Sequence, residues 1–219
     1  VPGASTPARA RRIAAVKEAR AERRRARIAD ALGGPAITKS MLNAILDRVK
    51  PRDAVVVNEY WMDRELVDFA EPGTYFCHSP AGGLGWGLPA ALGVQHARPQ
   101  ALVIATVGDG AYMFANPAAC HHAAANYGLP VLTVIYNNSK WEAVQRATLQ
   151  LYPRLGEAQH LPLPMTSLGT MPDFCAYATA SGGYAETVRE KDELEAALKR
   201  SIAVVQKEHR QALLNVIGT

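Results

Sequence analysis

The sequence predicts an α/β fold with a doubly wound, mainly parallel sheet and helices on both faces. Short runs rich in β-branched residues alternate with longer helical stretches, which is the pattern of parallel strands joined by helices. One run, residues 101–107, is apolar except for Thr106, as expected for a central buried strand. The chain has 219 residues, 48% of them hydrophobic, which is enough to bury one sizeable core beside an extension.

The first 34 residues differ from the rest in composition, and a domain boundary is predicted after them. Residues 1–7 have linker composition, whereas residues 8–32 have strong helix propensity but only a thin apolar stripe. These features predict a solvated, charged helix that Gly33-Gly34-Pro35 would end. We therefore predict a basic helical arm or linker at residues 1–34 and an α/β domain at residues 35–219.

Within the α/β domain, the apolar pattern predicts four strands and five helices. Residues 151–171 contain three prolines and are followed by a fourth, which predicts a long irregular loop. Loops of this length in compact domains often have a function. The predicted strands are Ala54–Asn58, Ala101–Val107, Val131–Tyr136 and Ala212–Ile217, and the predicted helices are Lys39–Val49, Leu84–His96, Pro117–Tyr127, Pro172–Ala180 and Asp192–Gln206.

The formal charge of +4 is unevenly distributed along the chain. The arm carries eight Arg and one Lys against three acidic residues, a net charge of +6, so the α/β domain carries −2. That domain lacks the basic face that would predict nucleic-acid binding, and only the arm could meet a polyanion. Charge runs at termini are usually solvated or linker segments, so we expect no nucleic-acid partner.

The cysteines and the apolar runs indicate the compartment. Cys77, Cys120 and Cys175 are widely spaced and form no CxxC pair, which favours a reducing compartment over a disulfide or structural zinc framework. No stretch approaches the ~18 apolar residues of a membrane span, and the start lacks a secretory signal. We expect a cytoplasmic protein without a membrane partner. Glu18 and Glu22 argue against an organellar transit peptide in the arm. The chain begins without Met, which is expected of a fragment or a processed piece.

Two polar motifs each follow an apolar predicted strand. Gly108-Asp109-Gly110 and Asn137-Asn138 are separated by 26 residues, and the carboxyl ends of parallel strands are where such sheets bind ligands. Carboxylate and amide oxygens suit Mg²⁺ or Ca²⁺, and the glycines would let a bulky anion approach the backbone. Each motif alone could be an ordinary turn or strand end, but their order and context favour one metal-diphosphate site.

This arrangement is similar to the thiamine-diphosphate motif of the decarboxylase and acetolactate-synthase superfamily. The resemblance extends over nearly the whole chain from Pro35 onward. It implies the thiamine-diphosphate-binding fold, with thiamine diphosphate and Mg²⁺ as cofactors. It also implies that Asp109, the side chain of Asn138 and the backbone carbonyl of Lys140 bind the metal.

Residues 81–93 strengthen this resemblance, and we call them the cradle segment. Their sequence, AGGLGWGLPAALG, looks like the benzoylformate-decarboxylase version of the turn that holds the aminopyrimidine of the cofactor. By this resemblance Gly82, next to Gly83, would offer its carbonyl to the pyrimidine amino group. Leu84 would force the V shape of the cofactor. A dinucleotide-binding loop or a plain helix entry is the alternative, but the glycines lack the GxGxxG register.

Several further side chains lie near these motifs in the sequence. His78 is the candidate substrate-proximal acid or base, although a loop histidine is more often solvated. Glu59 follows a predicted strand and could bind neighbouring backbone, bind a substrate group or simply be exposed. Trp141 is predicted to pack over the cofactor or close the site. Of the adjacent His121 and His122, one is predicted to be a helix-surface residue and the other a core histidine, rather than metal ligands.

The resemblance implies an enzyme that cleaves or forms C–C bonds next to a carbonyl. Decarboxylation of an aromatic 2-oxo acid is favoured by the cradle segment, with acetolactate-type carboligation or 2-hydroxyacyl-CoA cleavage as alternatives. It also implies a missing pyrimidine-binding domain, N-terminal or on another polypeptide, whose glutamate protonates the pyrimidine. We therefore expect a homo- or hetero-oligomer, and a chain that by itself binds cofactor weakly without turnover. A non-catalytic binding module that keeps the fold is the alternative of a different class.

Overall fold

The computed structural model describes residues 6–59, 61–77, 83–153, 163 and 166–219. In this part of the chain six strands form one sheet in the order β2-β1-β3-β4-β6-β5, and every neighbouring pair is parallel. The predicted α/β class with a parallel sheet is therefore confirmed. The strands are β1 Val55–Asn58, β2 Tyr75–Cys77, β3 Val103–Gly108, β4 Val131–Asn137, β5 Tyr184–Val188 and β6 Ala212–Ile217.

Helices cover both faces of the sheet, so the prediction of a doubly wound sheet is also confirmed. Alternate side chains of each central strand point to opposite faces. Ile104 of β3 belongs to one buried cluster, with Leu42 and Leu198, whereas its neighbour Ala105 belongs to the other, with Leu88. The described helices are α1 Pro7–Gly33, α2 Lys39–Val49, α3 Gly87–Ala97, α4 Asp109–Phe114, α5 Pro117–Asn126, α6 Glu142–Leu151, α7 Phe174–Thr179 and α8 Lys191–Glu208.

The four predicted strands are present as β1, β3, β4 and β6, with ends displaced by at most two residues. The edge strands β2 and β5 were not predicted. They have three and five residues, and most of their side chains are partly exposed, so neither shows the long buried apolar run of a central strand. An edge strand needs only one sheet neighbour and one covered face, and its sequence therefore gives a weak signal.

The predicted helices are present, but some boundaries were wrong and two helices were missed. α3 begins at Gly87 rather than Leu84, because Gly85 has a left-handed backbone with φ of 87° that no helix accommodates. α7 begins after Asp173, whose side chain accepts a hydrogen bond from the Cys175 amide at 2.9 Å and caps the helix. The missed helices are α4, which starts inside the Gly-Asp-Gly motif, and α6, which runs into the predicted loop.

The arm contains α1, a largely exposed helix that contacts the rest of the chain through its later turns. Arg24 pairs with Asp47 and donates to the carbonyl of Leu66, while Arg27 pairs with Asp63 at 2.6 Å. The predicted charged helix is confirmed, whereas the division into residues 1–34 and 35–219 stays a prediction. None of the helices in the described ranges is both long and apolar enough to cross a membrane.

Candidate active site

A cavity of about 270 Å³ opens at the carboxyl edge of the sheet, where β3 and β4 end. The two strands are in register to their last residues, with Gly108 opposite Tyr136. The sheet therefore brings together two motifs that are far apart in the sequence. Seven of the nine predicted cofactor-binding residues line this cavity: Leu84, Gly108, Asp109, Gly110, Asn138, Lys140 and Trp141.

Of the remaining predicted site residues, only Gly83 lies in the described part of the chain. Gly83 is exposed and is absent from the cavity wall, and a Cβ atom added to it would meet no atom within 4 Å. Gly82 and His78 lie outside the described residues. The roles predicted for these three residues stay predictions.

Asp109 is the most buried acidic group at the cavity, with 4% of its surface exposed. Its Oδ1 accepts a hydrogen bond from the Gly110 amide at 2.6 Å, and its Oδ2 accepts one from the Asn138 amide at 3.1 Å. Burial raises the pKa of Asp109, although the neighbouring backbone amides oppose that shift. A bound cation would stabilise the ionised carboxylate and reverse the direction of this effect.

The turn after β4 carries the second motif. Ser139 has a left-handed backbone with φ of 54°, and its amide donates to Asn137 Oδ1 at 3.1 Å. The Lys140 amide donates to Asn138 Oδ1 at 3.2 Å, so both asparagines stabilise the turn with their own side chains. Part of the predicted loop supports it from outside, because the Trp141 amide donates to the Thr166 carbonyl at 2.9 Å.

Trp141 packs tightly over the Gly-Asp-Gly motif. A Cβ atom on Gly110 would lie 2.6 Å from the Trp141 ring, so only glycine fits without displacing the indole. The indole Nε1 atom is buried and has no hydrogen-bond partner among the described residues. An unsatisfied donor at a cavity wall is matched by a ligand that brings an acceptor, such as a phosphate oxygen.

Glu59 fixes the described part of the cradle segment. It is fully buried, and its two carboxylate oxygens accept hydrogen bonds from the amides of Gly85 at 2.6 Å and Gly87 at 2.7 Å. Of the three roles left open for Glu59, binding to neighbouring backbone is the one observed, and the exposed role was wrong. Next to this turn, the Leu84 side chain stays 43% exposed at the cavity.

Two cavity residues, Trp61 and Lys39, were not singled out as candidates from the sequence. Trp61 is buried and its Nε1 donates to the carbonyl of Val107 at 2.9 Å, below the end of β3. Lys39, the first residue of α2, contacts the carboxylate of Glu142, the first residue of α6. Burial alone would raise the pKa of Glu142, but the hydrogen bond and charge of Lys39 outweigh it and lower this pKa. No local motif marks Lys39, because its neighbour lies 103 positions away.

His121 is the core member of the histidine pair and His122 is the exposed one, and His121 supports α4 from below. Its Nε2 lies 2.8 Å from the Tyr112 hydroxyl and its Nδ1 lies 2.7 Å from Gln211 Oε1. Because the Gln211 amide nitrogen donates to the His121 carbonyl at 2.9 Å, Gln211 Oε1 must accept from Nδ1–H. The imidazole is thus a neutral tautomer that accepts from Tyr112, and its burial lowers its pKa.

Comparison with known proteins gives a consistent family for this cavity. The profile of the family described as "Thiamine pyrophosphate enzyme, C-terminal TPP binding domain" matches residues 55–216. The chain is 35% identical to benzoylformate decarboxylase of Pseudomonas aeruginosa over 178 residues, which cover 78% of this chain and 31% of that protein. It is 30% identical to acetolactate synthase isozyme 2 large subunit of Escherichia coli over 171 residues, or 75% of this chain and 29% of that protein.

Comparison with solved structures indicates the same family. The thiamine diphosphate-dependent 4-hydroxybenzoylformate decarboxylase of Rhodococcus jostii RHA1 superimposes with a TM-score of 0.70 at 27% identity. The match covers 85% of this chain and 33% of that chain. The chain therefore spans about a third of the length of the relatives it matches.

Proposed function

The chain belongs to the thiamine pyrophosphate enzymes, as their C-terminal cofactor-binding domain, and we propose that it forms the diphosphate- and metal-binding half of a 2-oxo acid decarboxylase site. The observation that carries this proposal is the cavity at the carboxyl edge of the sheet, where residues from three separate segments meet. Two relatives whose names state benzoylformate-type decarboxylation support an aromatic 2-oxo acid as substrate. Similarity to acetolactate synthase makes carboligation the second candidate.

In this proposal Mg²⁺ is held by the Asp109 carboxylate, the Asn138 amide oxygen and the Lys140 carbonyl. The fit rests on Asp109, whose described hydrogen bonds all come from backbone amides and which a cation would neutralise. No three His, Cys, Asp or Glu side chains form a group in the described ranges. A site with one carboxylate, one amide and one carbonyl would not form such a group, and these hard oxygen ligands suit Mg²⁺.

The cavity wall also suits a diphosphate. Lys39, Lys140 and Arg146 outnumber the two acidic groups that line it, and the metal would add further positive charge. The Nε1 of Trp141, which has no partner in the described part of the chain, would supply a neutral donor. Gly108 presents a bare backbone, because a Cβ atom there would meet no protein atom within 4 Å.

Thiamine diphosphate, when bound, supplies a carbon nucleophile that adds to a 2-oxo group and accepts the electrons released as the adjacent C–C bond breaks. The residues of this chain bind and orient that cofactor and exclude water. Glu59 holds the cradle segment still through two amides, and Leu84 projects into the cavity to support the bent cofactor. His78 remains the candidate to move a proton at the substrate.

The proposal requires a complementary chain or domain that binds the pyrimidine ring and carries the glutamate that protonates it. This chain spans about a third of the length of its relatives, and exposed apolar side chains lie on α4 and α6, the two helices whose first residues line the cavity. Met113 and Phe114, at the end of α4, are 43% and 58% exposed, and Val144 of α6 is 46% exposed. Exposed apolar side chains of this kind favour a partner that covers them in a homo- or hetero-oligomer.

Reconstitution tests this function. The isolated chain with Mg²⁺ and thiamine diphosphate should show no decarboxylation, and a pyrimidine-binding domain from its own polypeptide or partner should restore turnover. Carbon dioxide release from benzoylformate and pyruvate, with acetolactate formation measured in parallel, separates the decarboxylase from the carboligase. Robust turnover by the isolated chain would contradict the need for a partner. Cofactor binding without turnover of any 2-oxo acid or hydroxyacyl-CoA in the reconstituted protein would favour a non-catalytic module.

A further inference from the structure

The side chain of Asn138 is held in one orientation by two neighbours of opposite polarity. Its Nδ2 donates to Glu142 Oε2 at 3.0 Å, and its Oδ1 accepts from the Lys140 amide at 3.2 Å. An amide that rotated by half a turn would set its NH₂ group against the Lys140 N–H and its oxygen against a carboxylate. Glu142 therefore keeps the nitrogen of Asn138 turned away, which leaves a lone pair of the oxygen free for a cation.

Lys39 contacts the same oxygen of Glu142 that Asn138 uses. Its ammonium group also lies 5.3 Å from the centre of the Tyr136 ring, a cation–π contact. The Tyr136 ring is fixed in turn by its hydroxyl, which donates to the Thr219 carbonyl at 2.7 Å. The position of Lys39 is fixed by the first turn of α2. Thr38 Oγ1 caps this helix by accepting a hydrogen bond from the Met41 amide at 3.1 Å.

The Lys39–Glu142 pair is poorly suited to stabilise the fold. The two side chains are 35% and 42% exposed, and ion pairs at such positions contribute little to the free energy of unfolding. Its location matters more, because both residues line the cavity that holds Asp109. An unpaired Glu142 carboxylate beside a divalent cation would compete with Asn138 as an oxygen ligand. Lys39 neutralises that carboxylate and holds it in its role as an acceptor for Asn138.

We propose that Glu142 and Lys39 are positioning residues for the metal site, with Glu142 orienting the Asn138 amide and Lys39 acting through Glu142. This inference rests on the proposed function, since it takes Asn138 as a metal ligand. Hydrogen bonds from outer residues to metal ligands commonly set ligand orientation and metal affinity. Lys39 lies outside residues 55–216, the segment that matches the family profile, so this support comes from a part of the chain that the profile does not include.

The test measures the affinity of the 219-residue chain for Mg²⁺ at saturating thiamine diphosphate, by calorimetry and by intrinsic tryptophan fluorescence. Glu142→Ala should weaken Mg²⁺ binding by roughly 10- to 100-fold, as expected for loss of an outer partner of a metal ligand. Glu142→Gln keeps an amide oxygen for Asn138 and should retain most of the affinity. Arg48→Met, which removes a partly exposed ion pair with Glu195 far from the cavity, is the matched control and should bind Mg²⁺ normally.

Lys39→Met separates positioning from direct contact with the diphosphate. It should weaken Mg²⁺ binding in the wild-type background but have no effect in the Glu142→Gln background, where there is no carboxylate to neutralise. Equal losses of Mg²⁺ affinity in both backgrounds would show that Lys39 contacts the cofactor itself and would overturn its role as a positioning residue. Unchanged Mg²⁺ affinity in Glu142→Ala would overturn the role of Glu142. If the wild-type chain shows no metal-dependent binding, or Asp109→Ala binds equally well, the proposed function fails and this inference fails with it.

Discussion

At the scale of single residues, the cavity is built from groups whose protein contacts are incomplete. Among the residues that the structure describes, Asp109 is buried beside backbone amides, the Nε1 of Trp141 has no hydrogen-bond partner, and a Cβ atom on Gly108 would meet no atom within 4 Å. Each of these features is unfavourable or neutral for folding. Each would gain a partner if a cation and a diphosphate bound together in the cavity. Stability and ligand binding should therefore respond differently to changes at these positions.

Gly108→Ala should separate binding from folding. Gly108 has φ of −80° and ψ of 162°, which alanine adopts freely, and the added methyl group would contact no protein atom within 4 Å. The methyl group would instead occupy the space assigned to the diphosphate. We expect near-normal thermal unfolding and at least about tenfold weaker cofactor binding, equivalent to about 1.4 kcal/mol.

Gly93→Ala is the matched control for this change. Gly93 lies inside α3, is exposed, and also has no atom within 4 Å of an added Cβ. Alanine there should raise stability by about 0.5–1 kcal/mol without altering binding. Equal binding by the Gly108 and Gly93 variants would contradict the assignment of the diphosphate to this wall.

His121 should make folding stability depend on pH. Burial lowers the folded-state pKa of His121 below its ordinary value of 6.5, and the hydrogen bond with Gln211 opposes this shift only in part. As the pH falls below about 6.5, the unfolded chain takes up a proton that the folded chain does not, so stability decreases. Urea unfolding between pH 5 and 8 should show that the free energy of unfolding decreases as the pH falls, and His121→Gln should make this pH dependence weaker.

The exposed neighbour His122 supplies the control for this pH series. His122→Gln should keep the wild-type slope, because this side chain has no buried hydrogen bonds to protect. An unchanged slope in His121→Gln would show that the buried network does not control the pH dependence.

At the scale of elements, the central strands could be predicted and the entry to α3 could not. β3 and β4 are buried over nearly their whole length, so their sequences show continuous apolar runs that end at the polar motifs. The start of α3 depends instead on Glu59, 26 to 28 positions earlier, whose carboxylate binds the amides of Gly85 and Gly87. A contact of that separation leaves no local pattern, and Lys39 with Glu142 is a second case.

Glu59→Gln should destabilise the cradle segment. One carboxylate oxygen would be replaced by an NH₂ group that faces a backbone amide, which leaves a buried donor unpaired. We expect a loss of about 1–3 kcal/mol in the free energy of unfolding, measured by urea denaturation. Glu71→Gln, at an exposed position before β2, should change stability by less than about 0.5 kcal/mol. Similar effects of the two changes would contradict the bracing role of Glu59.

At the scale of the whole molecule, the sheet order explains why two distant motifs form one site. β3 and β4 are adjacent and parallel, so their carboxyl ends meet at one edge, and the helices α4 and α6 start from that edge. The parallel sheet and the meeting of these two motifs at one site could be predicted from the apolar runs and the order of the motifs in the sequence. The identity of the partner, the choice between decarboxylation and carboligation and the function of the arm could not, because no motif in the sequence specifies them.

Metal-dependent binding of thiamine diphosphate to the wild-type chain and to Asp109→Ala is the most direct test of this account. Calorimetric titration of thiamine diphosphate with and without Mg²⁺ should show binding that requires the metal, and Asp109→Ala should abolish that requirement together with most of the affinity. Thermal unfolding should show that the variant remains folded. Binding that is absent in the wild-type chain, or that is equally strong without Mg²⁺ and in Asp109→Ala, would contradict the assignment of this cavity to the metal and diphosphate.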